Sequence, residues 1–361
     1  MKTEKKRRGL GWKIPLIVLG VIVLLVVWLF AWLTAAEYRP EDVEEIPVEG
    51  TASRLLAPGD QFTVMTWNMG YGALGDNADF FMDGGTGVRT ADEVRVQENV
   101  DAVLGEITTY LPDVVFLQEC DTDSARSHHM DEAAYLTGAL PGYQSAFAYN
   151  YRVLFVPYPL PPIGKVNSGI MTLSSYPVSS AERVQLPCPF SWPLRAGNLK
   201  RCLMVDRVPI EGSDRELVLV NLHLEAYDSG EGKIAQTEML RKTLQAEADA
   251  GNYVIAGGDF NQIFSSVENP WPSGEGFWQP GELDVSAFSE TWQFAMDVDT
   301  PSCRSLDRPY AGEERENFQF YLIDGFIVSE GIEIVSMQAH DLDFVHSDHN
   351  PVYLTVRLPA E

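Results

Sequence analysis

The chain has 361 residues, 45% of them hydrophobic, with 26 basic against 52 acidic side chains and a formal net charge of -26. The apolar share is enough to bury a core, which excludes a disordered chain, and the length suits one large domain or two ordinary ones. So acidic a chain disfavours long nucleic acid as a partner, because phosphate neutralisation supplies most non-specific affinity and no Lys/Arg groove follows the first 36 residues.

In chain order, the first element is an uncharged run of 19 residues, Ile14 to Trp32. As a helix it rises about 1.5 Å per residue and covers about 28 Å, the hydrocarbon thickness of a bilayer. It exceeds the roughly 7 to 15 apolar residues of a secretory signal. An uncleaved anchor over 14–35 is therefore favoured over a buried core helix or a cleaved signal, although Thr34-Ala35-Ala36 has the small residues of a cleavage site. Lys2, Lys5, Lys6, Arg7, Arg8 and Lys13 precede the run, and Glu37, Glu41, Asp42, Glu44 and Glu45 follow it. The positive-inside rule then predicts a basic cytoplasmic tail at 1–13, a single pass through the cell membrane, and everything beyond it outside the cytoplasm. Past residue 36 the chain holds 20 basic and 51 acidic residues, a net charge of -31.

Residues 36–60 mix acids with Pro40, Pro47, Gly50, Pro58 and Gly59, a composition that predicts a linker. From 61 to 361 apolar strand-like runs alternate with helical patterns and no second linker, which predicts one α/β domain. Val96, Val100, Val103, Leu104, Ile107 and Leu111 recur with a 3.6-residue period, and Pro112 stops that helix. A second helix is expected from Lys233 to Ala250, with Ile234, Leu240, Leu244 and Ala248 inward and Gly251 as its stop. Four cysteines are too few for a disulfide scaffold. Cys188 and Cys202 flank a short loop and are the pair to test for a bridge, whereas Cys120, after an apolar run, is expected to be a buried thiol.

Polar residues of catalytic type stand at strand ends. TVMTW delivers Asn68, VVFL delivers Gln118 and Glu119, LVLVNL delivers His223, and YVIAGG delivers Asp259 and Asn261. Asp324 interrupts the apolar run FYLIDGFIVS, and Ser347-Asp348-His349 precedes the strand PVYLTV. Each motif alone reads as a turn or a solvated strand end, but one phosphoesterase site explains the whole set. Such chemistry needs a nucleophilic water, neutralisation of phosphoryl charge and a proton for the leaving oxygen. Carboxylate and amide oxygens suit Mg²⁺ or Ca²⁺ and disfavour zinc, and a histidine oriented by a carboxylate exchanges protons near neutral pH. A nucleophilic serine has less support, since no Gly-x-Ser-x-Gly elbow is present.

TWN (Thr66 to Asn68), LQE (Leu117 to Glu119), SGIMTLSSYPV (Ser168 to Val178), NLHLE (Asn221 to Glu225), GGDFN (Gly257 to Asn261), IDGFIVS (Ile323 to Ser329) and HSDHNPV (His346 to Val352) together resemble the signatures of the endonuclease/exonuclease/phosphatase superfamily, in the usual order. The resemblance covers about Phe62 to Leu358. It implies a four-layer α/β sandwich, two packed mixed sheets with helices outside. It also implies a divalent-metal site, expected to take Mg²⁺ with Mn²⁺ or Ca²⁺ as alternatives, built on Glu119, Asn68 and Asp348. His349 would be the general base or phosphate-polarising imidazole, held by Asp324; Asp259 would orient the attacking water, Asn261 would bind phosphoryl oxygens, and His223 would act on the opposite side.

Two segments depart from the family pattern. The interval from Asn68 to Glu119 carries an extra stretch, Gly75 to Thr90, expected to be a flexible surface insertion, or else a Gly-rich phosphate cradle with Arg89. Val153 to Asn167 is apolar and proline-rich, read as a buried strand and turn in preference to a lipid-contacting lip, with Lys165 and Asn167 as candidate substrate-phosphate contacts. The substrate expected is a phosphate ester, either a phospholipid head group or nucleic acid and nucleotides, and no protein partner is indicated. The rival reading is a non-catalytic binding ectodomain of the same fold. Such a domain would be expected to have lost some of these positions, and none is missing.

Overall fold

The computed structural model describes residues 13–228 and 230–360. The basic residues Lys2 to Arg8, on which the sidedness expectation leans, lie outside them. Helix α1, Lys13–Ala35, is long and apolar enough to cross a membrane, and only its Leu33 is buried.

Beyond α1, two seven-stranded mixed sheets face each other. The first runs Val43–Ile46, Ser180–Gln185, Cys202–Pro209, Glu216–His223, Tyr253–Asp259, Asp324–Val328 and Gln293–Ala295. The second runs Glu333–Ala339, Val352–Arg357, Gln61–Asn68, Val114–Asp121, Gly164–Ser174, Gln144–Val156 and Val48–Gly50. The helices α2 (Glu93–Tyr110), α3 (Glu132–Ala139) and α4 (Glu231–Asp249) lie outside. This is the four-layer sandwich expected from the sequence.

Strand periodicity explains the layers. In Gln61–Asn68 the even positions Phe62 and Val64 face the other sheet, while Met65 and Trp67 pack under α2 with Val96, Val100, Val103 and Ile107. Leu217, Leu219 and Ile255 fill the inter-sheet layer, while Val218, Val220, Val254 and Ala256 pack under Leu240 and Leu244 of α4. Each of α2 and α4 is the crossover between two adjacent parallel strands. Asp92 caps α2 by accepting from Arg95 N at 2.9 Å, and Leu111 ends it in a left-handed conformation. Gly257 is forced by packing, since a Cβ there would lie 2.5 Å from the Phe326 ring.

The structure differs from the sequence reading at several points. Residues 43–50 are not linker: they form two short strands, one added to the edge of each sheet. Half-buried positions alternate with exposed ones there: Glu44, Ile46 and Val48 turn inward, Glu44 lying 3.8 Å from the buried Arg183, while Val43, Glu45 and Glu49 face solvent. Leu111 and Ile234 are exposed, the first because it caps α2 and the second because it lies on the outer side of α4's first turn. Cys188 and Cys202 are both free thiols, directed at the carbonyls of Leu199 and Tyr149, and Cys120 is buried as expected. Val153 to Asn167 forms a hairpin whose turn is largely exposed.

Candidate active site

At one end of four strands the inter-sheet positions are Asn68, His223 and Asp259, each last in its strand, and Asp324, first in its own. Their register aligns them: His223 pairs with Asp259, and Asp259 pairs with Asp324. The alternation that sends apolar side chains into the inter-sheet core therefore sends these polar ones to its open end. One layer deeper, Gln118 Nε2 donates to Asn221 Oδ1 at 2.8 Å, and Asn221 Nδ2 donates to Met171 O at 2.9 Å. This polar bolt joins the sheets directly behind the site.

Glu119 would by simple alternation point away from the site. A β-bulge between Leu117 and Cys120 inserts one extra residue, and Glu119 takes φ 53 there. The bulge re-aims its carboxylate to Asn68, whose Nδ2 lies 3.4 Å from Glu119 Oε1 and donates to Asp259 Oδ2 at 3.0 Å. Asn68 Oδ1 accepts from Gly70 N at 3.1 Å, which leaves it one lone pair. Asp348 lies over Gly70, where a Cβ would come within 2.9 Å of its Oδ1.

His349 Nδ1 bonds Asp324 Oδ2 at 2.8 Å, and its Nε2 lies 3.8 Å from Asp259 Oδ2. The loop carrying it is fixed, since Ser347 Oγ donates to Asn68 O at 2.8 Å and Trp67 Nε1 donates to His349 O at 2.9 Å. Ser302 Oγ accepts from the amides of Ile323 and Asp324. His223 Nε2 lies 3.4 Å from Asp259 Oδ2 on the other side. Asn261, at φ 52, donates its backbone N–H to Asp259 Oδ1 at 2.9 Å and its amide to Leu224 O at 2.9 Å.

Burial shapes the protonation states. It pushes Asp259 up to about 7, with the Asp324 charge adding, and Asp348 to about 6, where His349 opposes and Glu119 adds. Burial lowers His223 well below its ordinary value, helped by Arg201. Burial also acts to lower His349, but the Asp324 charge outweighs it and holds the imidazole well above.

The donor chemistry fits a hard divalent cation. Glu119, Asp348 and Asn68 offer two carboxylates and an amide oxygen, and among the described residues no Lys or Arg pairs with either carboxylate. Asp259, Asp324 and His349 form a second close group, within 4.8 Å, as do Cys303, Asp348 and His349. The bond to Asp324 occupies Nδ1 of His349 and leaves its Nε2 without a protein hydrogen bond among the described residues.

The predicted site residues thus converge except for two. Lys165 is ion-paired with Asp123, and no hydrogen bond joins the Asn167 side chain to the cluster among the described residues. The Gly75 to Thr90 segment is neither a free surface loop nor a phosphate cradle. Its amides at Thr86 and Gly87 donate to Asp79, Arg89 is exposed, and Phe80 N bonds Leu306 O at 2.8 Å. The segment places Asp83 against the Tyr227 hydroxyl, which donates at 3.1 Å. Burial pushes Asp83 up to about 7; the Tyr227 bond opposes, and the charges of Asp348 and Glu119 add. Sequence reasoning missed Asp83 and Tyr227, because nothing local marks either. Glu225 was inside the NLHLE motif but had no role; it holds Arg201 at 3.4 Å, and Arg201 donates to His223 O.

Residues 65–349 match the model of the Endonuclease/Exonuclease/phosphatase family. No curated protein matches the chain. Among solved structures, an endonuclease/exonuclease/phosphatase from Beutenbergia cavernae is 19% identical, with 83% of this chain and 72% of that one covered and a TM-score of 0.55. One from Bacteroides vulgatus is 14% identical over 83% of this chain and 99% of its own, at 0.54. The human Nocturnin catalytic domain is 19% identical over 86% and 96%, at 0.51. At such identities the likeness speaks to the fold, whereas the family match spans most of the chain and every residue of the site: this protein belongs to the endonuclease/exonuclease/phosphatase family.

Proposed function

We propose that the chain is a membrane-anchored, divalent-metal-dependent phosphoesterase whose catalytic domain, 61–361, stands outside the cytoplasm and hydrolyses phosphodiester or phosphomonoester bonds. The observation that carries this reading is the grouping of Asn68, Glu119 and Asp348 on one side of Asp259 and the bonded pair His349 and Asp324 on the other. Glu119, Asn68 and Asp348 would hold the ion, best matched to Mg²⁺. When bound, it supplies charge neutralisation at the phosphoryl oxygens and acidifies water. Asp259 orients the attacking water, Asn261 binds a phosphoryl oxygen, and Asp324 fixes the tautomer and orientation of His349. The imidazole of His349 moves a proton or polarises the phosphoryl group through Nε2, and His223 stabilises the opposite side. Helix α1 and the basic residues before it support the anchor and its sidedness.

The test is hydrolysis of a panel spanning phospholipids, nucleic acids and nucleotides by the purified protein, with Mg²⁺, Mn²⁺, Ca²⁺ or EDTA. Turnover should require metal and fall at least about a thousandfold in Glu119→Ala and His349→Ala. Full activity in either variant would sink the assigned site. A folded protein that binds no divalent ion in calorimetry would favour the binding ectodomain.

A further inference from the structure

The reading above leaves the substrate class open, and the path of the chain after α1 bears on it. Residues Val43 to Ile46 lie opposite Val184 to Ala181, and Val48 to Gly50 lie opposite Ala146 to Gln144. Gln144 pairs with Ser174, and Ser174 with Val114, the strand start farthest from Glu119. The chain therefore travels along the domain away from the site and reaches the opposite pole by Gly50. Its starting point is the site end: the Tyr38 ring lies under the guanidinium groups of Arg152 and Arg183, each 5.8 Å from its centroid. Arg152 pairs with Asn167, next to the Ser168 and Asp121 pair at the end of the Glu119 strand.

The exit of α1 is also clasped there. Trp192 Nε1 donates to Thr34 Oγ1 at 2.9 Å and its ring meets Phe30 at 6.3 Å, while Arg195 Nε bonds Glu37 Oε1 at 2.9 Å. Tyr151 OH reaches Gly197 O at 3.2 Å, tying this clasp to the middle of the 144–174 hairpin, where Tyr151 pairs with Ser168. Toward its turn the hairpin exposes Leu154 (49%), Tyr158 (68%) and Leu160 (88%). Its turn leans on the segment that flanks the site, with Tyr158 at 5.7 Å from Phe81 and Met82 exposed alongside.

We infer that the mouth of the active site faces the bilayer crossed by α1, that the hairpin turn around Tyr158 and Leu160 enters its interface, and that the substrate is a phosphoester carried on a lipid of that bilayer. This rests on the reading of the chain as an anchored phosphoesterase. Apolar and aromatic side chains at a membrane-facing rim are stabilised by transfer into the interface. The helix exit fixes which leaflet they meet, and the acidity of the domain repels soluble polyanions from the same gap.

The full chain, reconstituted in phosphatidylcholine vesicles with Mg²⁺, tests this beside a soluble diester, bis(p-nitrophenyl) phosphate. Leu160→Asp and Tyr158→Asp, at exposed turn positions, should lower phosphate-ester release from the vesicles at least about tenfold and leave cleavage of the soluble diester unchanged. A fluorophore on Leu160→Cys, in a Cys188→Ser background, should shift to the blue and be quenched by nitroxide-labelled lipid. A label that reports water, or vesicle hydrolysis indifferent to both variants, overturns the membrane-facing mouth. Soluble cleavage with no vesicle hydrolysis overturns the lipid substrate. Loss of soluble cleavage in the unmodified chain instead overturns the phosphoesterase reading, and the label still decides the orientation.

Discussion

The first sheet brings His223, Asp259 and Asp324 to the site, the groups suited to handling protons, while the second brings Asn68 and Glu119, the oxygen donors suited to a cation. The loop of Ser347 to His349 belongs to neither and serves both, with Asp348 turned to the oxygen set and His349 bonded to Asp324. The two halves also differ in how they are made. The first-sheet residues sit where strict alternation puts them, in register across three strands, whereas Glu119 reaches the site only through a bulge. The histidine and aspartate set continues the alternation of its sheet, as Asn68 does in the other, and Glu119 alone departs from it.

That division can be broken on one side. Asp324→Asn keeps the shape of the His349 pocket but loses the charge that orients the ring, and kcat should fall about a hundred- to a thousandfold. Metal affinity, read by calorimetry, should stay within about threefold. A parallel loss of affinity would mean that the two halves are not separable.

The next effect is on the join between the halves. Asn221→Leu removes the bolt, leaving Gln118 bonded to Thr66 alone and taking from the Leu117 and Met171 carbonyls the amide donor they share in a dry layer, a cost of roughly 2–4 kcal/mol in urea unfolding. Residual activity at low temperature should fall with the register of the sheets, so unchanged kcat would show that packing alone aligns the site.

The smallest effect sharpens the contrast. Asp206 is also buried, facing Thr172, whose hydroxyl is near but not within hydrogen-bond geometry, and among the described residues no other group bonds its carboxylate. Burial pushes it up to about 7, and the Thr172 hydroxyl offsets only part of that. The folded state thus keeps a proton that the unfolded chain has lost above its ordinary value, so this group lowers stability progressively as pH rises from about 4 to about 7. Asp206→Asn should remove that slope and raise stability at pH 8 by roughly 1–3 kcal/mol over the parent, with little change at pH 4. Thermal unfolding at the two pH values measures it.

Much of this was legible before the structure. The strands that end in Asn68, His223 and Asp259, the two crossover helices and the GGDFN and HSDHNPV motifs are set by period and by local chemistry, and they fall where expected. What was not legible depends on contacts distant in sequence. VEEIPVEG reads as linker because its acids and Pro47 mask a period-2 pattern that matters only once two sheet edges are present to receive it. Leu111 and Ile234 fit a helical stripe but lie at helix ends, where the stripe no longer faces the core. Asp83 meets Tyr227 across 144 residues, a distance over which no sequence pattern speaks. Lys165 and Asn167 were placed by proximity to a motif, and Asp123 claims the first of them.

The two short strands after α1 supply one outer edge of each sheet. A fragment cut after Ala36 would keep both, so the open edges at these positions stay short, Val43–Ile46 and Val48–Gly50. A fragment beginning at Gln61 would lose them together and bare Ser180–Gln185 and Gln144–Val156 as open pairing templates, the condition in which sheets recruit other chains. Residues 43–50, inside the stretch whose composition reads as a linker, therefore set how long a pairing edge each sheet presents at that side.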